Sequence, residues 1–565
     1  TALHDLAKAQ IIHKDLKPAN ILIHPETGQV QLIDFSIATR LPKTQQQQLV
    51  NPEQLEGTLA YISPEQTGRM NRGVDYRTDF YSLGVTLYEL LIGDLPFASS
   101  DPLEVIHQQI ARAPLSPQTI YTDRGESCPQ AVSAIVLKLM AKNAEDRYQS
   151  ALGLKHDLEQ CWQSLQEIGK IANFDLGRQD VCDRFSIPEK LYGREEDVQQ
   201  LLDAFARAAQ GHSELMLVAG FSGIGKTAVV KEVHKPIAAK RGYFVQGKFD
   251  QLNRNVPFSA FVQACRDLVR QVLSESNAAI ARWQSQLLAA VGDSSQVLVE
   301  AIPELTELIG PQTPAPELSG SAARNRFNRL FSAFLKVFAQ AEHPLTIFLD
   351  DLQWADSASL GLLTVLMGDR TLTHLLLLAA YRDNEVVAGH PLQLSLKQLL
   401  QQQIQFSTLR LYSLAATETN QLVADTLSCS LAMAQPLTDL LYPQTQGNPF
   451  FTTRLLEQLH KEQLIQFDRD AGCWECDLVR IRRLTLTDDV VELMTQQLGK
   501  LPSQTQQAIQ FAACVGNVFD LATLAIVLET TPNLAATALW PGLEAGFILP
   551  QSEASEFYLD RKSVV

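Results

Sequence analysis

The sequence predicts a multidomain protein that combines α+β and α/β units: a mostly helical N-terminal lobe, then a parallel-sheet core, then a mainly helical C-terminal region. Three observations predict it. The chain has 565 residues, and at ~150 residues per domain that length accommodates three or four compact units. Strand-like runs at 215–219, 243–246, 346–349 and 375–380 alternate with helical segments, the pattern of a parallel sheet with crossover helices. A polar, weakly periodic stretch at 166–188 separates that region from an earlier one with different motifs and reads as a linker.

Composition excludes several classes. Acidic residues number 63 against 47 basic ones, a net charge of −16, which opposes adhesion to phosphate backbones or anionic membranes. No nucleic-acid partner and no membrane partner are expected. With 45% apolar and 19% charged residues, the chain is globular rather than disordered or fibrous. No apolar run reaches the ~20 residues of a membrane helix; the runs near 345–349 and 375–380 read as buried strands. Eight cysteines are scattered thinly, which suits reduced thiols and a cytoplasmic location.

From 11 to 162, short apolar strands precede helical patterns at 79–92 and 129–140. Here His13-Lys14-Asp15-Leu16-Lys17-Pro18-Ala19-Asn20 is followed by Ile33-Asp34-Phe35-Ser36. Phosphoryl transfer needs a carboxylate at the attacking hydroxyl, a cation for the moving charge and two oxygen ligands for Mg²⁺ on the ATP phosphates. Asp15 fits the base, Lys17 the γ-phosphate contact, and Asn20 and Asp34 the metal ligands. This segment resembles the catalytic loop H-R-D-x-x-x-x-N and D-F-G of protein kinases, and Lys17 resembles the serine/threonine class. Further matches come in order: Gly57-Thr58 and Ser63-Pro64-Glu65 resemble the end of an activation segment. Asp79 begins what looks like the central buried helix, and the resemblance implies that it fastens the catalytic loop and that Arg147 pairs with Glu65. Lys14 stands where the family has arginine and loses the bidentate fork for an activation-loop phosphate. Ser36 replaces a hinge glycine but leaves the metal ligand. Because the first motif arrives by His13, residues 1–165 are expected to be a kinase C-lobe without phosphotransfer activity of its own, and the full-length chain to phosphorylate serine or threonine.

The second site opens with Gly220-Phe221-Ser222-Gly223-Ile224-Gly225-Lys226-Thr227, which fits G-x-x-x-x-G-K-[ST] between the run 215–219 and a helical run at 228–238. Gly220, Gly223 and Gly225 let backbone N–H groups face phosphates; Lys226 reaches the β- and γ-phosphates, and the Thr227 hydroxyl binds Mg²⁺. The strand 346–349 ends in Asp350-Asp351, of which Asp350 suits the magnesium shell and Asp351 the attacking water. No N-K-x-D guanine reader is present, so ATP is the expected nucleotide. The details resemble STAND and AAA-like signalling ATPases. That resemblance implies that Arg194, in Tyr192-Gly193-Arg194-Glu195, lies against the adenine, and that Arg382, after the run 375–380, senses the γ-phosphate. Gly447-Asn448-Pro449 looks like the G-x-P turn of the family's helical lid.

Nearly the whole chain resembles the bacterial, cyanobacterial-type multi-sensor signal transduction multi-kinases, in which a kinase domain and an AAA-like ATPase precede sensor and histidine-kinase modules. The implied layout is a kinase C-lobe at 1–165, a linker at 166–188, a P-loop ATPase core at 189–403, a helical lid at 404–460, and a hairpin plus winged-helix-like helical region at 461–565. Its partners would be a serine/threonine protein substrate, those downstream modules and an ATP-dependent oligomer. ATP and Mg²⁺ would close the lid as a nucleotide switch. Two alternatives stand beside this reading: a pseudokinase scaffold, favoured by Lys14 and Ser36, and a STAND-type transcription regulator. Residues 501–560 hold no lysine or arginine, which opposes DNA reading there. The stretches 247–251 and 324–328 read mostly as polar helix and loop surface, and together with 57–72 they also carry the resemblance to the multi-kinases. Cys473-Trp474-Glu475-Cys476 reads as part of a hairpin around Asp470-Ala471-Gly472 rather than as a zinc site, and Asp356 as a helix cap through Ser357 and Ser359.

Overall fold

The computed structural model describes residues 2–40, 57–67, 73–99, 102–123, 128–180, 185–240, 242–251, 256–273, 275, 277–316, 318–387, 389–468, 473–485, 498–499, 501–516, 519–544 and 547–548. The N-terminal lobe forms around helix Arg77–Ile92, which buries Phe80, Tyr81, Val85, Tyr88 and Ile92 and stops at Gly93 in the left-handed region, φ 86°. Helix Gln130–Leu139 packs across it so closely that a Cβ on Gly84 would lie 2.8 Å from Leu139 Cβ. Two short antiparallel ladders, Ile11–Ile12 with Thr39–Arg40 and Ile21–Ile23 with Val30–Leu32, carry the first motif.

Helix Ala151–Ile168 is capped by Ser150 and ends at Gly169. The segment after Gly169 corrects the expected linker at 166–188, because its first part is docked on the lobe. Asp180 accepts hydrogen bonds from Gln149 N and Ser150 N at 2.7 and 2.8 Å, and Ile171, Phe174 and Leu176 pack on the core around Phe80, Leu139 and Tyr148. Irregular backbone anchored by a few apolar side chains leaves no periodic signal, so it reads as a connector.

The core is a five-stranded parallel sheet of β1 (Ser213–Ala219), β2 (Tyr243–Lys248), β3 (Leu345–Asp350), β4 (Leu375–Tyr381) and β5 (Ser407–Arg410), in the order β2-β3-β4-β1-β5. Helices on both faces make the central strands continuously apolar. Leu215, Leu217, Ile347, Leu375 and Leu377 belong to one core, and Met216, Val218, Phe348, Leu376 and Leu378 to the other. β5 corrects the boundary at 403: the residues after it do not begin as a helical lid but add a sheet strand. It is an edge strand with only Leu409 buried, so no apolar run announces it. The helical run expected at 228–238 is broken into Lys226–Lys231 and His234–Ala239, because Pro236 has no N–H to continue the first helix. Between β2 and β3 the described residues form the α-helices Ser259–Leu273, Asn277–Val291, Gln296–Ala301, Leu305–Ile309 and Gly320–Phe338.

Helices Ala416–Thr426, Leu431–Thr445 and Pro449–Lys461 share a core with the hairpin strands Ile465–Asp468 and Cys473–Cys476. The expected turn residues Asp470, Ala471 and Gly472, and the expected start of further helices at Asp488, lie outside the described residues. Helices Ser503–Val515, Leu521–Val527 and Pro532–Glu544 come after them. Among the described residues no helix is long and apolar enough to cross a membrane.

Candidate functional site

In the N-terminal lobe, the buried Asp79 accepts His13 N and Lys14 N, both at 2.9 Å. Burial pushes its carboxyl up to about 6, against the pull of those two donors. Asp15 is gripped on both oxygens: Thr58 N donates to Oδ1 at 2.9 Å, and Lys17 Nζ and Asn20 Nδ2 donate to Oδ2 at 2.7 and 3.1 Å. Burial alone would raise this carboxyl, but the bonds from Lys17 and Thr58 outweigh it and hold it below the usual range. Lys17 also donates to Thr58 Oγ1 at 2.6 Å. Asn20 makes both of its bonds through Nδ2, to Asp15 O and Oδ2, so its Oδ1 remains an acceptor. Asp15, Lys17 and Asn20 are thus brought together. Asp34, at φ 64°, stands outside their hydrogen bonds and accepts Ser36 Oγ at 2.8 Å. Beneath the loop, Arg147 donates to Glu65 through Nη1 at 2.6 Å and Nη2 at 2.8 Å, with both residues buried. Gln66, which sequence reasoning missed, donates to Lys14 O at 2.9 Å.

The second site lies at the C-terminal ends of the parallel strands, where such sheets bind ligands. Gly220 ends β1 so near Leu411 that a Cβ would fall 2.9 Å from its carbonyl oxygen. Gly223, at φ 75°, has the same problem with Phe450 Cβ at 2.8 Å, and Gly225, at φ 95°, opens helix Lys226–Lys231. Lys226 Nζ donates to Gly220 O and Phe221 O, each at 2.9 Å; burial pulls its ammonium down, and the Asp350 charge opposes the fall. Thr227 Oγ1 donates to Asp350 Oδ2 at 3.3 Å. Burial, then the neighbouring Asp351, raise the Asp350 carboxyl. These two hard oxygens fit Mg²⁺, which commonly takes one or two protein ligands beside phosphates.

Asp351 sits in the left-handed region at φ 54°. Its Oδ1 accepts Gln353 Nε2 at 2.8 Å and forms an ion pair with Arg382, Nε at 3.3 Å, and its Oδ2 faces Lys248 Nζ at 3.3 Å. Arg382 lies over Trp354, 4.8 Å from the ring centroid, and donates to Glu385 Oε1 at 2.9 Å. Gln353 also accepts Arg382 N at 3.1 Å. Lys226, Thr227, Asp350, Asp351 and Arg382 therefore meet in one crevice. Arg194 is held differently: its buried guanidinium donates to Asp197 and to the carbonyls of Ile224 and Tyr412, which ties the phosphate-loop backbone to the chain after β5.

The turn before helix Pro449–Lys461 touches the loop directly. Asn448 Nδ2 donates to Ser222 O at 3.0 Å, and Phe450 N donates to Gly223 O at 3.3 Å. Gly447 lets the same turn pack against the chain after β5, since a Cβ there would lie 2.0 Å from Leu414 O. Lys248 and Gln353 were missed as site residues, although Lys248 lies within the noted stretch 247–251 and Gln353 just after Asp350-Asp351. Asp356 caps helix Ser357–Gly368 by accepting Ala358 N and Ser359 N at 2.9 Å each, rather than through Ser357. Cys473 and Cys476 lie on the second hairpin strand, and no group of three His, Cys, Asp or Glu fit to hold a metal ion occurs among the described residues.

Comparison with known proteins gives the same two units. Residues 1–159 match the protein kinase domain and residues 190–378 the AAA ATPase domain. The hybrid signal transduction histidine kinase G of Dictyostelium discoideum is 32% identical over 84% of this chain and 16% of its own length. The peroxide stress-activated histidine kinase mak3 of Schizosaccharomyces pombe is 22% identical over 90% of this chain and 25% of its own length. The serine/threonine-protein kinase PknB of Mycobacterium leprae is 40% identical over 26% of this chain and 22% of its own length. The chain thus spans no more than a quarter of the length of these two histidine kinases. A protein kinase domain is fused here to an AAA ATPase domain, and both imply the use of ATP.

Proposed function

We propose that the chain is the kinase and ATPase segment of a signalling protein of the bacterial multi-sensor multi-kinase type, with a STAND-like ATP switch beside a serine/threonine kinase. One observation carries the switch: the lid turn at Asn448 and Phe450 is bonded to the loop that holds Lys226. In this reading Gly223, Gly225 and Lys226 bind the phosphates, and Thr227 and Asp350 hold Mg²⁺, which neutralises phosphate charge when bound. Asp351 orients a water, Arg382 contacts the γ-phosphate, and Arg194 fixes the loop against the adenine side of the pocket. A phosphate that moves the loop must move Ser222 and Gly223, and with them the lid; a ligand shifts the lid only by the difference in its affinity for the two lid positions. Oligomer formation and docking of sensor and histidine-kinase modules would depend on the same movement.

In the kinase half, Asp15 positions the substrate serine or threonine hydroxyl and Lys17 the γ-phosphate, with Asn20 and Asp34 as the Mg²⁺ ligands. Lys226→Ala in the full chain tests the switch. ATP affinity should fall by at least ~100-fold, as expected for loss of a charged phosphate contact, and unchanged affinity would remove the assignment. A second reading, a pseudokinase scaffold gated by ATP, is favoured by Asp34 standing outside the Asp15 cluster with Ser36 bonded to it. The two part on one assay: a full-length protein whose phosphotransfer equals that of its Asp15→Asn form is a scaffold.

A further inference from the structure

Lys248, in the stretch 247–251, is a cation of the nucleotide crevice to which neither the phosphate-loop nor the paired-aspartate motif gives a role. Lys248 closes β2 and stands beside Asp350 in the sheet register. Its backbone is fixed from three directions. Helix Ser259–Leu273 begins so close that a Cβ on Gly247 would fall 1.8 Å from Ala260 O. Gln263 Oε1 accepts Lys248 N at 2.9 Å, and the next residue, Phe249, donates its N–H to Asp350 O at 3.1 Å. From that anchor the ammonium reaches Asp351 Oδ2 at 3.3 Å, while Gln353 and Arg382 take Oδ1. The carboxylate is therefore held on both oxygens, from β2, from the turn after β3 and from the end of β4. The lysine is 50% exposed and Asp351 7% exposed, so water screens the pair from the lysine side, and a melting measurement separates its contribution to stability from a role in the site.

We infer that Lys248 is a positioning residue of the nucleotide site, acting through Asp351 to hold its carboxylate in the orientation that aligns the attacking water. The inference rests on the reading of this crevice as an ATP site. In the step concerned, the water oxygen bonds to the γ-phosphorus, and the bond from that phosphorus to the β,γ-bridging oxygen breaks with its electron pair leaving on ADP. One water proton passes to Asp351 and then to solvent, leaving ADP and inorganic phosphate. Arg382 and Lys248 fix opposite oxygens, so loss of Lys248 frees the carboxylate to rotate toward Arg382 while leaving the phosphate-binding loop intact.

The test compares the full chain with its Lys248→Met and Lys248→Arg forms, measuring affinity for a fluorescent ATP analogue, steady-state ATP hydrolysis and thermal melting. Lys248→Met should lower kcat on the order of 10- to 100-fold, the scale of a misplaced catalytic group, with nucleotide affinity changed less than about twofold. Lys248→Arg should recover most of kcat, because a cation still faces Oδ2. An unchanged kcat in Lys248→Met overturns the proposal. So does a fall in affinity equal to the fall in kcat, which makes Lys248 a binding residue, or a lowered melting temperature, which makes it structural. A wild-type chain that binds no ATP overturns the site reading and this inference together; one that binds ATP, loses binding in Lys226→Ala and hydrolyses none overturns this inference alone.

Discussion

The two phosphate-handling regions are built on opposite plans. In the kinase lobe, order comes from beneath: Asp79 holds the loop by its backbone, the buried Glu65–Arg147 pair joins the segments under it, and Asp15 and Asn20 are themselves buried within that scaffold. In the ATPase core, order comes from sheet register, which sets the loop after β1 and the ends of β2, β3 and β4 side by side. The carboxylates report the difference. Asp15 is buried but bonded to Lys17 and Thr58, which hold its pKa low; Asp350 is half-buried beside another carboxylate and is raised. One site is charged and already paired, whereas the other keeps an acid whose charged form is favoured by added positive charge.

If the lobe depends on its buried polar scaffold, breaking that scaffold should unfold the lobe and spare the sheet. Arg147→Met leaves Glu65 buried without its cation, and removing one partner of such a pair costs about 3–5 kcal/mol. Melting of the lobe in the full chain should fall by many degrees while ATP affinity at the Lys226 site stays within about twofold, since distant sites act independently. Equal losses at both sites would show that the two regions are one cooperative unit.

That contrast also explains what was legible in the sequence. The strands β1, β3 and β4 were readable because burial on both faces makes them continuous apolar runs, the edge strand β2 because Tyr243, Phe244 and Val245 open it with a short apolar run, and the glycines, Lys226, Asp350 and Asp351 because they neighbour such runs. β5 was not, since three of its four residues are not buried, nor was the lobe's extension past Ile168, which is irregular chain held by Phe174, Leu176 and Asp180. Lys248 lies in the noted stretch 247–251 and Gln353 two residues past Asp351, but they act through register and through a turn, so the sequence did not assign either of them to the site. In the lobe, the order of motifs placed Asp15, Lys17 and Asn20 in one cluster, but it carried no information on Thr58 as the donor that locks Asp15.

A pH test sharpens the same contrast. Lys142 lies within the scaffold, donating to Gln109 O at 2.7 Å and Tyr81 Oη at 3.1 Å. Burial first, then the Arg147 charge, push its ammonium down to about 7, with Glu65 opposing. Its folded-state pKa lies below its ordinary value of 10.5, so between those two values the unfolded chain binds more protons. Stability therefore rises with pH across that window, with a slope of at most about 1.4 kcal/mol per pH unit. The melting temperature of the lobe should climb from pH 7 toward pH 10, and Lys142→Met should flatten that rise. A wild-type profile already flat would mean that the carbonyl acceptors keep the ammonium charged.

The smallest effect separates two jobs of one residue in the ATPase half. Asn448 caps helix Pro449–Lys461 by accepting Phe450 N at 3.1 Å and Phe451 N at 3.4 Å, while its amide donates to Ser222 O. Losing the cap costs about 0.5–2 kcal/mol; losing the amide bond should leave the helix alone and uncouple the lid from the loop. Serine is a good cap but too short to offer that amide, so Asn448→Ser should melt like wild type and bind ATP a few-fold more weakly. Asn448→Ala should show both losses. If Asn448→Ser binds ATP as wild type does, the bond to Ser222 carries no information from loop to lid, and the coupling must run through the backbone contact of Phe450 with Gly223.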